Sequence, residues 1–159
     1  AYIDLKTEKD KGTVFKVYFP AVPRKKETIR ITKKPVIKAG KGRILIVDDE
    51  EYIRKVAERY LNLQGYETKT ASNGVEGIKA YNEGEFDLVI ADLIMTPING
   101  IQMFNEIRTL NPKARVIIMS GFQDDDQIGD LMKRGAMGFI PKPFDLQKLG
   151  EMINSALDR

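Results

Sequence analysis

Three aspartates, a serine and a lysine stand where this sequence could do chemistry. Asp48 and Asp49 follow the apolar run Ile44-Leu45-Ile46-Val47, and Asp92 follows Leu88-Val89-Ile90-Ala91. Ser120 follows residues 115–119, and Lys142, with Pro143 behind it, follows residues 137–140. If these runs are neighbouring strands, all five side chains converge on one sheet edge. Helix capping explains one or two polar residues at such places, but not five together. Close carboxylates repel one another unless a cation sits among them, and Lys142 opposes that repulsion. A raised pKa is therefore expected for at least one of Asp48, Asp49 and Asp92. The chain holds no histidine and no cysteine. It can form no Ser-His-Asp triad, no histidine- or thiolate-bound metal, no disulfide and no phospho-histidine. Hard oxygen ligands point to Mg2+, Mn2+ or Ca2+. The ammonium and the hydroxyl exceed what a simple metal site needs. They suit the oxygens of a phosphoryl group, and a carboxylate can itself be the phosphoryl nucleophile. The set reads as an aspartyl-phosphate site.

The elements that must position these residues alternate from Arg43 onward. Residues 44–47 are wholly apolar, as a buried parallel strand should be. Residues 50–64 carry Ile53, Val56, Ala57, Tyr60 and Leu61 at helical spacing, and Gly65 stops them. Strands are predicted at 66–71, 88–91, 115–119 and 137–140. Helices are predicted at 73–82, with Asn73 as N-cap, and at 100–110, 124–134 and 145–157, the last capped by Asp145. The acids at 124–126 read as a solvated helix start that suits the positive end of the helix dipole. Five β-α units imply an α/β fold with a parallel five-stranded sheet, doubly wound and covered on both faces.

At 159 residues, 42% apolar and 31% charged, the chain reads as soluble and globular, large enough for one medium domain and an appendage. No apolar run approaches the ~18 residues of a membrane span. Charge is uneven. Residues 1–43 hold 13 Lys+Arg against 4 Asp+Glu, and residues 44–159 hold 13 against 19. Residues 1–20 show period-2 patterning in two runs, with Ile3 and Leu5 on one face of the first and Phe15, Val17 and Phe19 on one face of the second. They predict a β-hairpin. Residues 21–42, with Pro23, Pro35 and many Lys/Arg, read as a linker in which 28–32 could pair as an edge strand. This basic stretch is expected to be a self-repelling spacer, with no nucleic-acid contact.

Residues 43–159 resemble the receiver domain of two-component response regulators. The resemblance rests on Val47-Asp48-Asp49-Glu50, Asp92-Leu93-Ile94-Met95, Asn99-Gly100, Met119-Ser120-Gly121 and Phe139-Ile140-Pro141-Lys142-Pro143-Phe144. It implies a flavodoxin-like strand order 2-1-3-4-5 and a phosphoryl group accepted by Asp92 from phospho-histidine. It also implies Mg2+ (or Mn2+) held by Asp48, Asp49, Asp92 and the backbone carbonyl of Ile94. In the same way Lys142 pairs with the acids or the phosphoryl group, Ser120 is the switch hydroxyl and Phe139 the aromatic that follows it. The Lys142–Pro143 bond is expected to be cis. Thr96 stands where the family usually has proline, with Pro97 next, so an altered loop shape or phosphoryl lifetime is expected. An aspartate-nucleophile phosphatase commonly has a second acid where Ile94 stands, which argues against that chemistry.

Residues 11–20, Lys-Gly-Thr-Val-Phe-Lys-Val-Tyr-Phe-Pro, resemble the end of a histidine kinase ATP-binding domain. Remnant, linker and receiver in that order imply a hybrid sensor kinase of the bacterial cytoplasm, or the cytoplasmic part of a membrane-bound sensor, with no membrane contact by this stretch. Its donor would be its own kinase core or a histidine phosphotransfer protein. The fragment itself is expected neither to bind ATP well nor to autophosphorylate, and its only catalysis would be on its own phosphoryl group. A homo-oligomer through residues 1–42 is expected when the hairpin is ordered. A second reading stays open: a protein-binding adaptor whose Asp92 is rarely phosphorylated.

Overall fold

Alternation of apolar side chains along short strands sets the layers of the larger unit. The computed structural model describes residues 2–20, 40–121 and 125–158. The strands of this unit are β3 (Arg43–Val47), β4 (Glu67–Ala71), β5 (Leu88–Asp92), β6 (Val116–Ser120) and β7 (Gly138–Pro141). They form one parallel sheet in the order β4-β3-β5-β6-β7. The helices are α1 (Glu51–Leu63), α2 (Gly74–Glu83), α3 (Gly100–Leu110), α4 (Asp125–Lys133) and α5 (Leu146–Leu157). Ile44 and Ile46 of β3, with Leu88 and Ile90 of β5, share a buried cluster with Ala57 and Leu61 of α1 and with Leu149 and Ile153 of α5. Leu45, Val47, Val89 and Ala91 face the other way, into a cluster with Met103, Phe104 and Ile107 of α3 and Leu131 of α4. Period-2 strands thus feed two cores. Each fully buried Leu, Ile or Phe stabilises by roughly 1.5–3 kcal/mol. The expected doubly wound α/β fold and strand order are present.

Local chemistry fixes the helix starts. Asn73 Oδ1 accepts from Glu76 N at 2.9 Å, and Asp145 Oδ1 accepts from Gln147 N at 2.7 Å, as expected of caps. Asn99 and Gln102 form a reciprocal capping box. Helix α1 differs: Glu50 occupies its N-cap without a side-chain capping bond. Strands β6 and β7 lie one residue further along the chain than their apolar runs suggest. Ser120 and Pro141 still pair in the ladder, which ends beyond the apolar stretch. Asp124 of the expected fourth helix, residues 21–39 of the expected linker over 21–42 and the expected edge strand at 28–32 lie outside the described residues. No helix among the described residues is long and apolar enough to cross a membrane.

The N-terminal segment is a separate compact unit. Strands β1 (Tyr2–Glu8) and β2 (Gly12–Tyr18) pair antiparallel, with Ile3 opposite Val17 and Leu5 opposite Phe15. Directly opposed residues share a face, so these four apolar side chains form one side. Asp4, Lys6 and Lys16 lie on the other, where the Tyr2 and Tyr18 rings meet with centroids 5.9 Å apart. All four apolar residues are exposed.

Candidate functional site

The chain reverses its direction of travel across the sheet between β3 and β5. Such a switch point opens a crevice at the carboxyl ends of the strands. Asp48 and Asp49 follow β3, Asp92 ends β5, Ser120 ends β6 and Lys142 follows β7, so the adjacent strands deliver all five to one edge. One carboxylate oxygen from each of Asp48, Asp49 and Asp92 lies within 4.8 Å of the others. Asp48, Asp92 and Ser120 are buried polar residues of this unit, while Asp49 is exposed. Lys142 Nζ lies 2.7 Å from Asp48 Oδ2, 3.2 Å from Asp92 Oδ2 and 3.4 Å from Glu50 Oε1.

The acid loop is held from several sides. Asp48 Oδ1 accepts from Glu50 N at 2.9 Å, and the Asp48 carbonyl accepts from Arg54 Nη1 at 2.6 Å. Asp48 Oδ2 is fully buried and has no well-directed hydrogen bond, since the Lys142 ammonium approaches it obliquely. A buried carboxylate oxygen left in this state, among three oxygens of hard-ligand type, fits a divalent cation. On the opposite wall the Ser120 carbonyl accepts from Lys142 N at 2.7 Å. The Lys142–Pro143 bond is cis, as expected, and so is Thr96–Pro97 in the loop after Asp92.

Electrostatics separate the groups. Burial pushes the Asp92 carboxyl up; Lys142 pulls it down, Asp48 and Asp49 push it further up, and it titrates at about 6. The expected shift is therefore present, but desolvation leads it and charge repulsion is secondary. Burial works against the Lys142 charge, yet Asp48 and Asp92 outweigh it and raise its pKa above the ordinary lysine value. At neutral pH the ammonium is fixed beside a partly uncompensated carboxylate. This arrangement can take a cation and an anion together.

The response regulator receiver domain family matches residues 44–154. This chain belongs to that family. It is 31% identical over 168 aligned residues to the sensor kinase CckA of Brucella abortus (strain 2308), an alignment covering 99% of this chain and 18% of the kinase. The chain thus spans about a fifth of that relative's length. A receiver domain protein from Clostridium thermocellum has a crystal structure 35% identical to this chain, with a TM-score of 0.70, covering 74% of this chain and 94% of that one. CheY in the CheX-CheY-BeF3-Mg+2 complex from Borrelia burgdorferi is 29% identical, with a TM-score of 0.69, covering 71% and 87%.

In this receiver Asp48, Asp49, Asp92 and Lys142 come together as the sequence suggests. Phe139 is half-buried on β7, paired in register with Ile118 and packed against the cluster that holds Phe104 of α3 and Leu131 of α4. Ile94 lies two residues beyond Asp92 and exposes its side chain. One contributor escaped sequence reasoning. Arg54 reaches back from the first turn of α1 to the Asp48 carbonyl, and its spacing alone gives no hint of that. Gly100, read in the sequence with Asn99, gains its physical reason here: it opens α3, and a Cβ there would fall on the Asp92 carbonyl oxygen and 2.8 Å from Leu93 Cα. Gly100 N donates to Leu93 O at 2.9 Å, drawing the loop after Asp92 tightly over the helix start.

Proposed function

We propose that this receiver is the phosphoacceptor of a two-component phosphorelay, carried in a hybrid sensor kinase, with Asp92 taking the phosphoryl group from a phospho-histidine. The observation that carries this reading is the Lys142 ammonium 3.2 Å from Asp92 Oδ2, inside a cluster of three carboxylates. In the transfer, an Asp92 oxygen bonds to phosphorus as the phosphorus–nitrogen bond of phospho-histidine breaks. The electron pair of that bond stays on the imidazole nitrogen. Lys142 and the Ser120 hydroxyl take phosphoryl oxygens, and Phe139 follows Ser120 as the surface switches. Asp48, Asp49, Asp92 and the Ile94 carbonyl would hold Mg2+. When bound, Mg2+ offsets the negative charge gathered as donor and acceptor meet. The Mg2+ named with the Borrelia burgdorferi CheY complex supports that choice of ion.

The experiment is a melting curve with and without millimolar Mg2+. A cation that binds only the folded state should raise the melting temperature by roughly 3–5 °C. Replacing Asp48, Asp49 and Asp92 together by alanine should abolish the rise. An equal rise in that variant, or none in the wild type, removes the metal site.

The match to a sensor kinase over nearly the whole chain supports residues 1–20 as a kinase remnant, 21–42 as linker and 43–159 as the receiver. The apolar face of the hairpin favours a homo-oligomer through residues 1–42. Deleting residues 1–40 should leave the receiver folded, with its melting temperature within ~2 °C of the parent, and should yield a monomer by light scattering. An unfolded product would move the boundary, and an unchanged mass would remove the oligomer.

A further inference from the structure

Glu50 belongs to the acidic motif, yet neither capping nor cation binding accounts for its carboxylate. It holds the N-cap of α1, where short Asn, Asp, Ser or Thr side chains reach the helix N–H groups, and its own side chain makes no such bond. The carboxylate turns instead to Lys142, 92 positions later in sequence, and Oε1 accepts from Nζ at 3.4 Å. The Glu50 side chain is 63% exposed and that of Lys142 only 10%, so the pair spans the rim of the site. An ammonium has three protons, and three carboxylates surround this one: Asp48, Asp92 and Glu50. Asp48 and Asp92 also belong to the cation cluster; Glu50 does not.

We propose that Glu50 is a positioning residue acting through Lys142: it holds the ammonium at the rim in competition with the phosphoryl group, and so sets how fast Asp92 is loaded and how long it stays loaded. This inference rests on the phosphoacceptor reading. To meet a phosphoryl oxygen on Asp92, Lys142 gives up a carboxylate partner. A cation takes up charge from Asp48 and Asp92, whereas among the described residues only Lys142 pairs with Glu50, which remains the competitor.

The test uses the full chain at saturating Mg2+, with acetyl phosphate as donor and intact mass as the readout. In that reaction an Asp92 oxygen bonds to phosphorus, the phosphorus–oxygen bond to the acetyl group breaks, and acetate leaves with the electron pair. Lys142 stays protonated throughout. Glu50→Gln should load roughly three- to tenfold faster, the scale of one exposed charge pair, and should hold its phosphoryl group longer after donor removal. The advantage should shrink as salt rises, while the melting temperature stays put. Glu50→Asp, too short to reach Lys142 and able to cap α1, should behave like Glu50→Gln. Equal or slower loading in Glu50→Gln, an unchanged lifetime, or wild-type rates in Glu50→Asp would overturn the proposal. A wild type that takes up no phosphoryl group at all removes the phosphoacceptor reading instead.

Discussion

Asp92→Asn is expected to abolish phosphoryl uptake altogether. With acetyl phosphate and Mg2+, intact mass should show one phosphoryl adduct on the wild type and none on the variant. The amide oxygen is a poor nucleophile, and Asp92 is the carboxylate that ends β5, 3.2 Å from the Lys142 ammonium. An adduct that survives the substitution would move the acceptor elsewhere. The same variant has a second signature in the Mg2+-free protein. Asp92 titrates at about 6 in the folded state against an ordinary 3.8. Between those values the folded protein binds more protons than the unfolded chain. Stability therefore falls as pH rises across that window and levels off above it. Asparagine carries no such charge, so the fall should flatten. Above the window the variant should be more stable by ~2 kcal/mol, the scale of a shift of this size partly relaxed by solvent. Urea denaturation across the window, with and without Mg2+, measures it; an unflattened slope in the variant would assign the titration to another group.

Lys142→Met is expected to slow loading of Asp92 by about 10²-fold, the usual loss when one fixed donor to a developing charge is removed. It should also destabilise the Mg2+-free protein at neutral pH by ~3 kcal/mol, because Asp48 and Asp92 keep their buried charges without a partner. Mg2+ should restore most of that stability but little of the rate, since the cation replaces the charge balance and not the contact to the phosphoryl oxygen. Below the Asp92 pKa the destabilisation should shrink as the carboxyl takes a proton. Wild-type loading in this variant would remove Lys142 from the transfer. Wild-type stability without Mg2+ would show that solvent already screens the acids.

Much of this architecture is local, and locality makes it legible. Ile44 through Val47 alternate between two cores, and a period of two can be read from four residues. Asn73 and Asp145 cap their helices because a short side-chain oxygen beside a backbone N–H needs no tertiary help. Even the positions of Asp48, Asp49, Asp92, Ser120 and Lys142 follow from where the apolar runs stop. The missed boundaries of β6 and β7 have the opposite cause: the ladder continues through Ser120 and Pro141 because neighbouring strands are there to pair with them, whatever their hydropathy.

Sequence by itself therefore determined the α/β class, the five residues at the strand ends and the oxygen-only chemistry imposed by a chain without histidine or cysteine. Tertiary structure decided the strengths and the partners. Asp92 titrates high chiefly because the folded sheet buries it, and no spacing of acids in a sequence records depth. Glu50 points to Lys142 rather than to its own helix because the segment after β7 meets the start of α1 from 92 positions away, and Arg54 reaches the Asp48 carbonyl because the first turn of α1 folds back over the acid loop. Gly100 is required by the Asp92 carbonyl lying against it, a closeness that exists only once α3 has docked. Burial and through-space charge depend on every element packed around a residue, whereas periodicity and capping depend only on its neighbours in the chain.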